Sequence, residues 1–305
     1  MIKSSAVETP GKIGALAIVV RGAFILVVSA FVLALGLVSG CRNVPATGGT
    51  SQGTGSASTG PSADRNQVAI LSYQVLNVYP HDTTSYTEGL LVQDGALYES
   101  TGYTDEVPYT RSLFGTVDLK TGHIGVKAEL DKKRYFGEGI VFLKGKVYRL
   151  TYKTKVGFVY DARTFKKLQE FTYPSEQGWG MTTDGNYLIM SDSTPDIHYL
   201  DPSTFKQVRS IRVMENNTPV DQVNELEYIN GYIYANRYTK NYILKIDPAS
   251  GRVVGKLDLS SLSEQSRNKY PGSMEMNGIA YDSAADKVYI TGKLWPDIYA
   301  IRLAH

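Results

Sequence analysis

Glu138 lies between Gly137 and Gly139 and follows Phe136. Backbone can approach closely there while an aromatic ring limits water. A carboxyl group in that setting holds its proton more tightly because burial disfavours the charged form, and it can exchange a proton near neutral pH. Residues of related chemistry recur along the chain: Glu88, Trp179, Asn224, Glu225, Glu227, Asn277 and Lys293. Any one of them, taken alone, reads equally well as a turn residue or a satisfied strand polar group. Carboxylates and amides at several equivalent places read instead as walls of one pocket, because the start of a strand does not require Glu.

A repeated unit would bring them together. In Tyr135 to Phe165 a Gly-Glu-Gly corner opens the apolar run Ile140 to Leu143. Lys144-Gly145 then makes a turn, Val147 to Tyr152 answers with β-branched and aromatic residues, and Gly157 to Tyr160 ends in a turn at Asp161. Short strands joined by turn chemistry, with no helical period, form an antiparallel meander. The unit recurs with corners at Glu88, Glu138, Gly180, Leu226 and Gly278, spaced by 50, 42, 46 and 52 residues. Each interval suits a four-stranded blade, so the expected fold is all-β, a five-bladed β-propeller. The last copy stops after its third strand near Leu303, while Ala69 to Tyr79 forms an apolar strand without a partner. The economical expectation is that this N-terminal strand completes the last blade, closes the ring and removes a bare edge. A repeat-rich sandwich is the alternative. Inner strands of a propeller run along its central channel, so their corners converge on one mouth.

Upstream of the propeller, residues 1–40 carry Lys3, Lys12 and Arg21, then an apolar stretch from Ala23 to Val38 and the run Val38-Ser39-Gly40-Cys41. A basic start, a hydrophobic segment and a small-residue site form an export signal; an uncleaved membrane anchor is the competing reading. The only cysteine, Cys41, directly follows the small pair and resembles the lipobox cysteine of bacterial lipoproteins, which becomes the lipidated N-terminus. Residues 41–66, rich in Gly, Ser and Thr, form a flexible tether, and residues 67–305 form one propeller domain. The expected location is the bacterial cell envelope, lipid-anchored on its periplasmic or outer-surface side. The chain has 32 basic and 30 acidic residues, and three basic and one acidic lie in the first 40, so the rest carries 29 of each. A neutral surface argues against nucleic acid as a partner.

Several short motifs together carry a family likeness. They are Tyr86-Thr87-Glu88-Gly89-Leu90, Tyr98-Glu99-Ser100-Thr101-Gly102, Phe136-Gly137-Glu138-Gly139, Gly178-Trp179-Gly180, Asn224-Glu225-Leu226-Glu227-Tyr228, Asn277-Gly278-Ile279-Ala280-Tyr281 and Thr291-Gly292-Lys293-Leu294-Trp295-Pro296. In this order, from about Tyr73 to Arg302, the chain resembles the plant and bacterial glutaminyl-peptide cyclotransferases, five-bladed propellers unrelated to the zinc-dependent animal cyclases. The resemblance implies conversion of an N-terminal glutaminyl residue to pyroglutamyl with release of ammonia. It assigns the proton shuttle to Glu138, oxyanion donors to Lys293 and the Asn224 amide, an aromatic cage to Tyr86, Phe136 and Trp179, and a polar substrate contact to Glu88. Tyr152 and Tyr238 complete the cage, where relatives often carry Trp. Glu88 stands where Gln is common, Gln177 where Glu is expected and Ser193 where Gly often follows; these departures make the cage smaller and more polar.

The implied partners are peptides or proteins with N-terminal Gln and, through the lipid, a membrane; the enzyme is expected to be a monomer needing no cofactor for catalysis. Two rivals stay open at this point. One is a calcium-dependent hydrolase binding the ion through Glu138, Asn224 and Asn277, against which Lys293 argues by repulsion; a purely structural calcium also stays open. The other is a non-catalytic, lipid-tethered peptide-binding propeller. His81, His123, His198 and His305 offer no zinc spacing.

Overall fold

The computed structural model describes residues 68–304. The export signal, Cys41 and the 41–66 tether lie outside the described residues. Five antiparallel sheets follow one another as blades. Blade 1 begins with the inner strand Thr87–Gln93, blade 2 with Gly137–Leu143, blade 3 with Met181–Thr183, blade 4 with Val223–Ile229 and blade 5 with Met276–Asp282. Each inner strand contacts that of the next blade, and the fifth contacts the first.

The hairpins form where turn chemistry demands them. Asp94-Gly95, Lys144-Gly145 and Asn230-Gly231 all have positive φ at both residues, the geometry of a two-residue turn whose twist matches that of its strands. Between the third and fourth strands of blades 1 to 4, Asp118, Asp161, Asp201 and Asp247 accept backbone N–H groups two residues on, which fixes those turns locally.

Burial of alternating strand residues produces five apolar clusters, and each fills one seam between neighbouring blades. Ile140, Phe114 and Val147 fill the seam of blades 1 and 2; Leu150 and Met190 that of blades 2 and 3; Leu226 and Tyr199 that of blades 3 and 4; Ile243 and Ile279 that of blades 4 and 5; Leu90 and Ile298 that of blades 5 and 1. An unanticipated helix, Ser260–Lys269, adds Leu262 to the seam of blades 4 and 5.

The apolar stretch Ala69 to Tyr79 is two strands rather than one. Tyr73–Pro80 pairs antiparallel with Asp297–Leu303 as the outermost strand of blade 5. Ala69–Leu71 pairs parallel with the outer edge of blade 4, Ala69 opposite Gly255. The break falls at Ser72, whose carbonyl accepts the Ala304 N–H at 2.9 Å.

Candidate active site

The corners carry their functional side chains on irregular backbone. In blade 1 the register of the inner strand slips between Thr87 and Gly89, in blade 2 between Gly137 and Ile140, in blade 4 between Val223 and Leu226, and in blade 5 between Met276 and Ile279. The residues inside the slips are Glu88, Glu138, Asn224 and Asn277, with their neighbours. A bulge turns a side chain out of the sheet's alternation, so these four are aimed by backbone geometry.

One hydrogen bond at corner level crosses every seam. Ser100 Oγ donates to Glu138 O (2.6 Å), Gly139 N to Trp179 O (2.8 Å), Ser191 Oγ to Asn224 O (2.7 Å), Gly278 N to Asn236 Oδ1 (3.0 Å), and Asn277 Nδ2 to Thr87 O (2.9 Å). The corners approach so closely that a side chain at Gly139 or Gly180 would collide with the backbone of the next blade.

The cavity at this end measures about 270 Å³, and all nine residues expected from the sequence line it: Tyr86, Glu88, Phe136, Glu138, Tyr152, Trp179, Asn224, Tyr238 and Lys293. Five rings follow one another around it. Centroid separations are 5.9 Å for Tyr86 and Phe136, 5.8 Å for Phe136 and Tyr152, 6.3 Å for Tyr152 and Trp179, and 5.6 Å for Trp179 and Tyr238. Lys293 Nζ completes the circuit, 4.4 Å from the Tyr86 ring and 5.5 Å from that of Tyr238. Trp179 is steadied by its Nε1 donating to Gln177 Oε1 at 2.9 Å.

Lys293 Nζ also pairs with Glu88 Oε1 at 2.7 Å, and Asn277 Nδ2 donates to Glu88 Oε2 at 2.8 Å. Burial raises the Glu88 pKa to about 7, with Lys293 pulling the other way. Burial, reinforced by Glu88, lifts Glu138 well above the usual carboxylate range, while Lys293 and Arg149 oppose the rise. Among the described residues nothing hydrogen-bonds the Glu138 carboxyl oxygens, which are left to the cavity. Burial would lower the Lys293 pKa, but Glu88, Tyr86 and Glu138 outweigh it, so the amine stays an ammonium. Burial pushes the Tyr86 phenol up to about 12, keeping it neutral. Asn224 Oδ1 is buried without a partner. Two acids, one ammonium and an amide thus face one small space: a proton acceptor that can turn donor, set beside donors for a developing negative charge.

Three of the corner residues pooled with these are absent from the lining. Glu225 accepts the N–H groups of Leu90 (3.3 Å) and Ile279 (2.8 Å), and Glu227 accepts that of Tyr281 (2.8 Å). They tie blade 4 to blades 5 and 1. Asn277 acts behind the lining by holding Glu88. Sequence reasoning missed Thr104 and Glu106, which line the cavity from the loop between the second and third strands of blade 1; the signal was the polar, proline-broken run Tyr103 to Thr110. Among the described residues no group of three or more His, Cys, Asp or Glu could hold a metal ion. The ring nitrogens of His81 and His198 face Glu99 (3.1 Å) and Asp192 (3.0 Å).

Residues 50–303 match the profile of the family described as Glutamine cyclotransferase. The Glutaminyl-peptide cyclotransferase of Arabidopsis thaliana is 37% identical over 248 residues, which is 81% of this chain and 75% of that protein. The crystal structure of Myxococcus xanthus Glutaminyl Cyclase aligns with a TM-score of 0.71 at 29% identity, covering 78% of this chain and 98% of that one.

Proposed function

Because this chain belongs to the glutamine cyclotransferase family and is an enzyme of that activity, a transferase, we propose that the cavity ringed by five aromatic side chains holds the N-terminal glutaminyl residue of a peptide or protein. The observation that carries this reading is the meeting of an unbonded Glu138 carboxyl, Lys293 and the aromatic circuit in one cavity of about 270 Å³.

The α-amine of the substrate attacks its own γ-amide carbon. Both groups belong to one residue, so the pocket has mainly to fold the side chain back and exclude water. Glu138, as the carboxylate, takes a proton from the attacking amine. The tetrahedral oxyanion is met by Lys293 Nζ and the Asn224 amide N–H. As the carbon–nitrogen bond breaks, the Glu138 carboxyl returns the proton to the departing nitrogen, which leaves as ammonia, and the five-membered lactam remains. Its raised proton affinity suits both halves of this transfer. Glu88 keeps Lys293 in place through their ion pair.

This chemistry asks for no cofactor. Purified protein incubated with a Gln-initiated dipeptide is expected to release ammonia at the same rate with and without EDTA. Absence of release from folded protein would reject the reading, and loss of release on chelation would favour a metal enzyme. The enzyme is anchored through lipidated Cys41 in a bacterial envelope. This part rests on the sequence around Cys41 and is checked by a fatty-acid label that Cys41→Ser should lose.

A further inference from the structure

Arg149 stands in the second strand of blade 2, Lys146–Thr151, amid apolar residues, and is wholly buried. Its guanidinium crosses the seam into blade 1. Nη2 donates to Thr101 O at 2.9 Å and Leu113 O at 3.0 Å, Nη1 to Ser112 O at 3.4 Å, and Nε to Ser100 Oγ at 3.1 Å. All of these acceptors are neutral. Burial lowers the Arg149 pKa to about 10, which still leaves a cation at neutral pH. A buried charge held by carbonyls and a hydroxyl is costly unless a nearby group makes use of it.

The hydrogen bonds run one way. Since Nε donates to Ser100 Oγ, the Ser100 hydroxyl proton is free to reach Glu138 O, 2.6 Å away. A directed chain of guanidinium, hydroxyl and carbonyl therefore ends on the backbone of Glu138. Gly137, beside it, leaves the space that the guanidinium fills. The charges also pair off. Glu88 of blade 1, Lys293 of blade 5 and Arg149 all act on the Glu138 carboxyl, which in turn adds to burial in raising the pKa of Tyr173, beyond the outer strand of blade 2. Lys293, the stronger of the two cations acting on Glu138, is shared with Glu88, and Arg149 is the second cation that offsets a charge on Glu138.

We propose that Arg149 is a positioning residue of the cyclisation: through Ser100 it fixes the corner that carries Glu138, and its charge keeps Glu138 available as the carboxylate that accepts the amine proton. This rests on Glu138 as the proton shuttle. The test is the pH profile of kcat/KM for ammonia release from a Gln-initiated dipeptide, in the wild type, Arg149→Gln, Arg149→Lys and Ser100→Ala. Arg149→Gln should move the acidic limb to higher pH, because an opposite charge is removed. Arg149→Lys should keep the limb in place while kcat falls and KM changes little. Ser100→Ala should lower kcat about tenfold with the limb unmoved. A folded Arg149→Gln with the wild-type limb overturns the charge role, and a Ser100→Ala with wild-type kcat overturns the link to the corner. A carbon-13 titration of the Glu138 carboxyl, assigned with Glu138→Gln, needs no turnover. If the wild type releases no ammonia, the reading of the site fails, yet a higher Glu138 midpoint in Arg149→Gln still supports the charge role and an unchanged one refutes it.

Discussion

Two pairs of glutamates lie on inner strands of this ring and have opposite fates. Glu88 and Glu138 open onto the cavity, while Glu225 and Glu227 turn into the middle of the ring and accept backbone N–H groups from blades 1 and 5. Burial raises the proton affinity of all four. A raised pKa therefore does not tell the four apart. Glu138 is set apart because its carboxyl oxygens are left to the cavity. Those of Glu88 are taken by Lys293 and Asn277, and those of Glu225 and Glu227 accept backbone N–H groups. In blade 4 the register slip gives the cavity to Asn224, and the next residue, Glu225, faces the other way.

The contrast can be broken by exchanging each acid for its amide. Glu138→Gln should lower kcat by about 10²–10⁴-fold, the usual worth of positioned proton transfer, with little change in Tm. Glu225→Gln should do the reverse. One of its two accepting oxygens becomes an NH₂ facing an N–H, at a cost of about 1–3 kcal/mol, read from urea unfolding, while turnover of the folded fraction stays within a few-fold. Equal loss of activity in both variants would erase the distinction. The smallest effect concerns pH. The Glu227 pKa is raised to about 8, chiefly by burial. A carboxyl whose folded pKa lies above its unfolded value stabilises the fold fully below the unfolded value and loses that contribution as pH rises through the folded one. Tm should decline between about pH 5 and 8, and Glu227→Gln should make the decline shallower; an unchanged slope would assign it to other groups.

How far the sequence carried follows from the range of each interaction. Lys144-Gly145 and Asn230-Gly231 specify their turns within two residues, and five apolar runs with such turns specify blades, so the repeat and its corners were legible. The place of Glu138 on the cavity was legible too, from Gly137 and Gly139 beside it. The separate fates of Asn224 and Glu225 were not, since a slip of one position reverses the face a side chain takes and leaves no mark on composition. Nor was the division of Ala69 to Tyr79, because Ala69–Leu71 pairs with residues more than 180 positions away. Arg149 left a faint trace, a cation inside Val147-Tyr148-Arg149-Leu150, where an exposed face would more commonly be inferred.

Blade 5 carries a consequence for synthesis. Asp297–Leu303, the last of the described strands in chain order, is not an edge strand: it lies between Lys287–Gly292 and Tyr73–Pro80, the latter made more than 200 residues earlier. Until Asp297–Leu303 has been made, both of these wait with unmatched amide groups. Losing Asp297–Leu303 would therefore remove the middle of a sheet and free Tyr73–Pro80 as well.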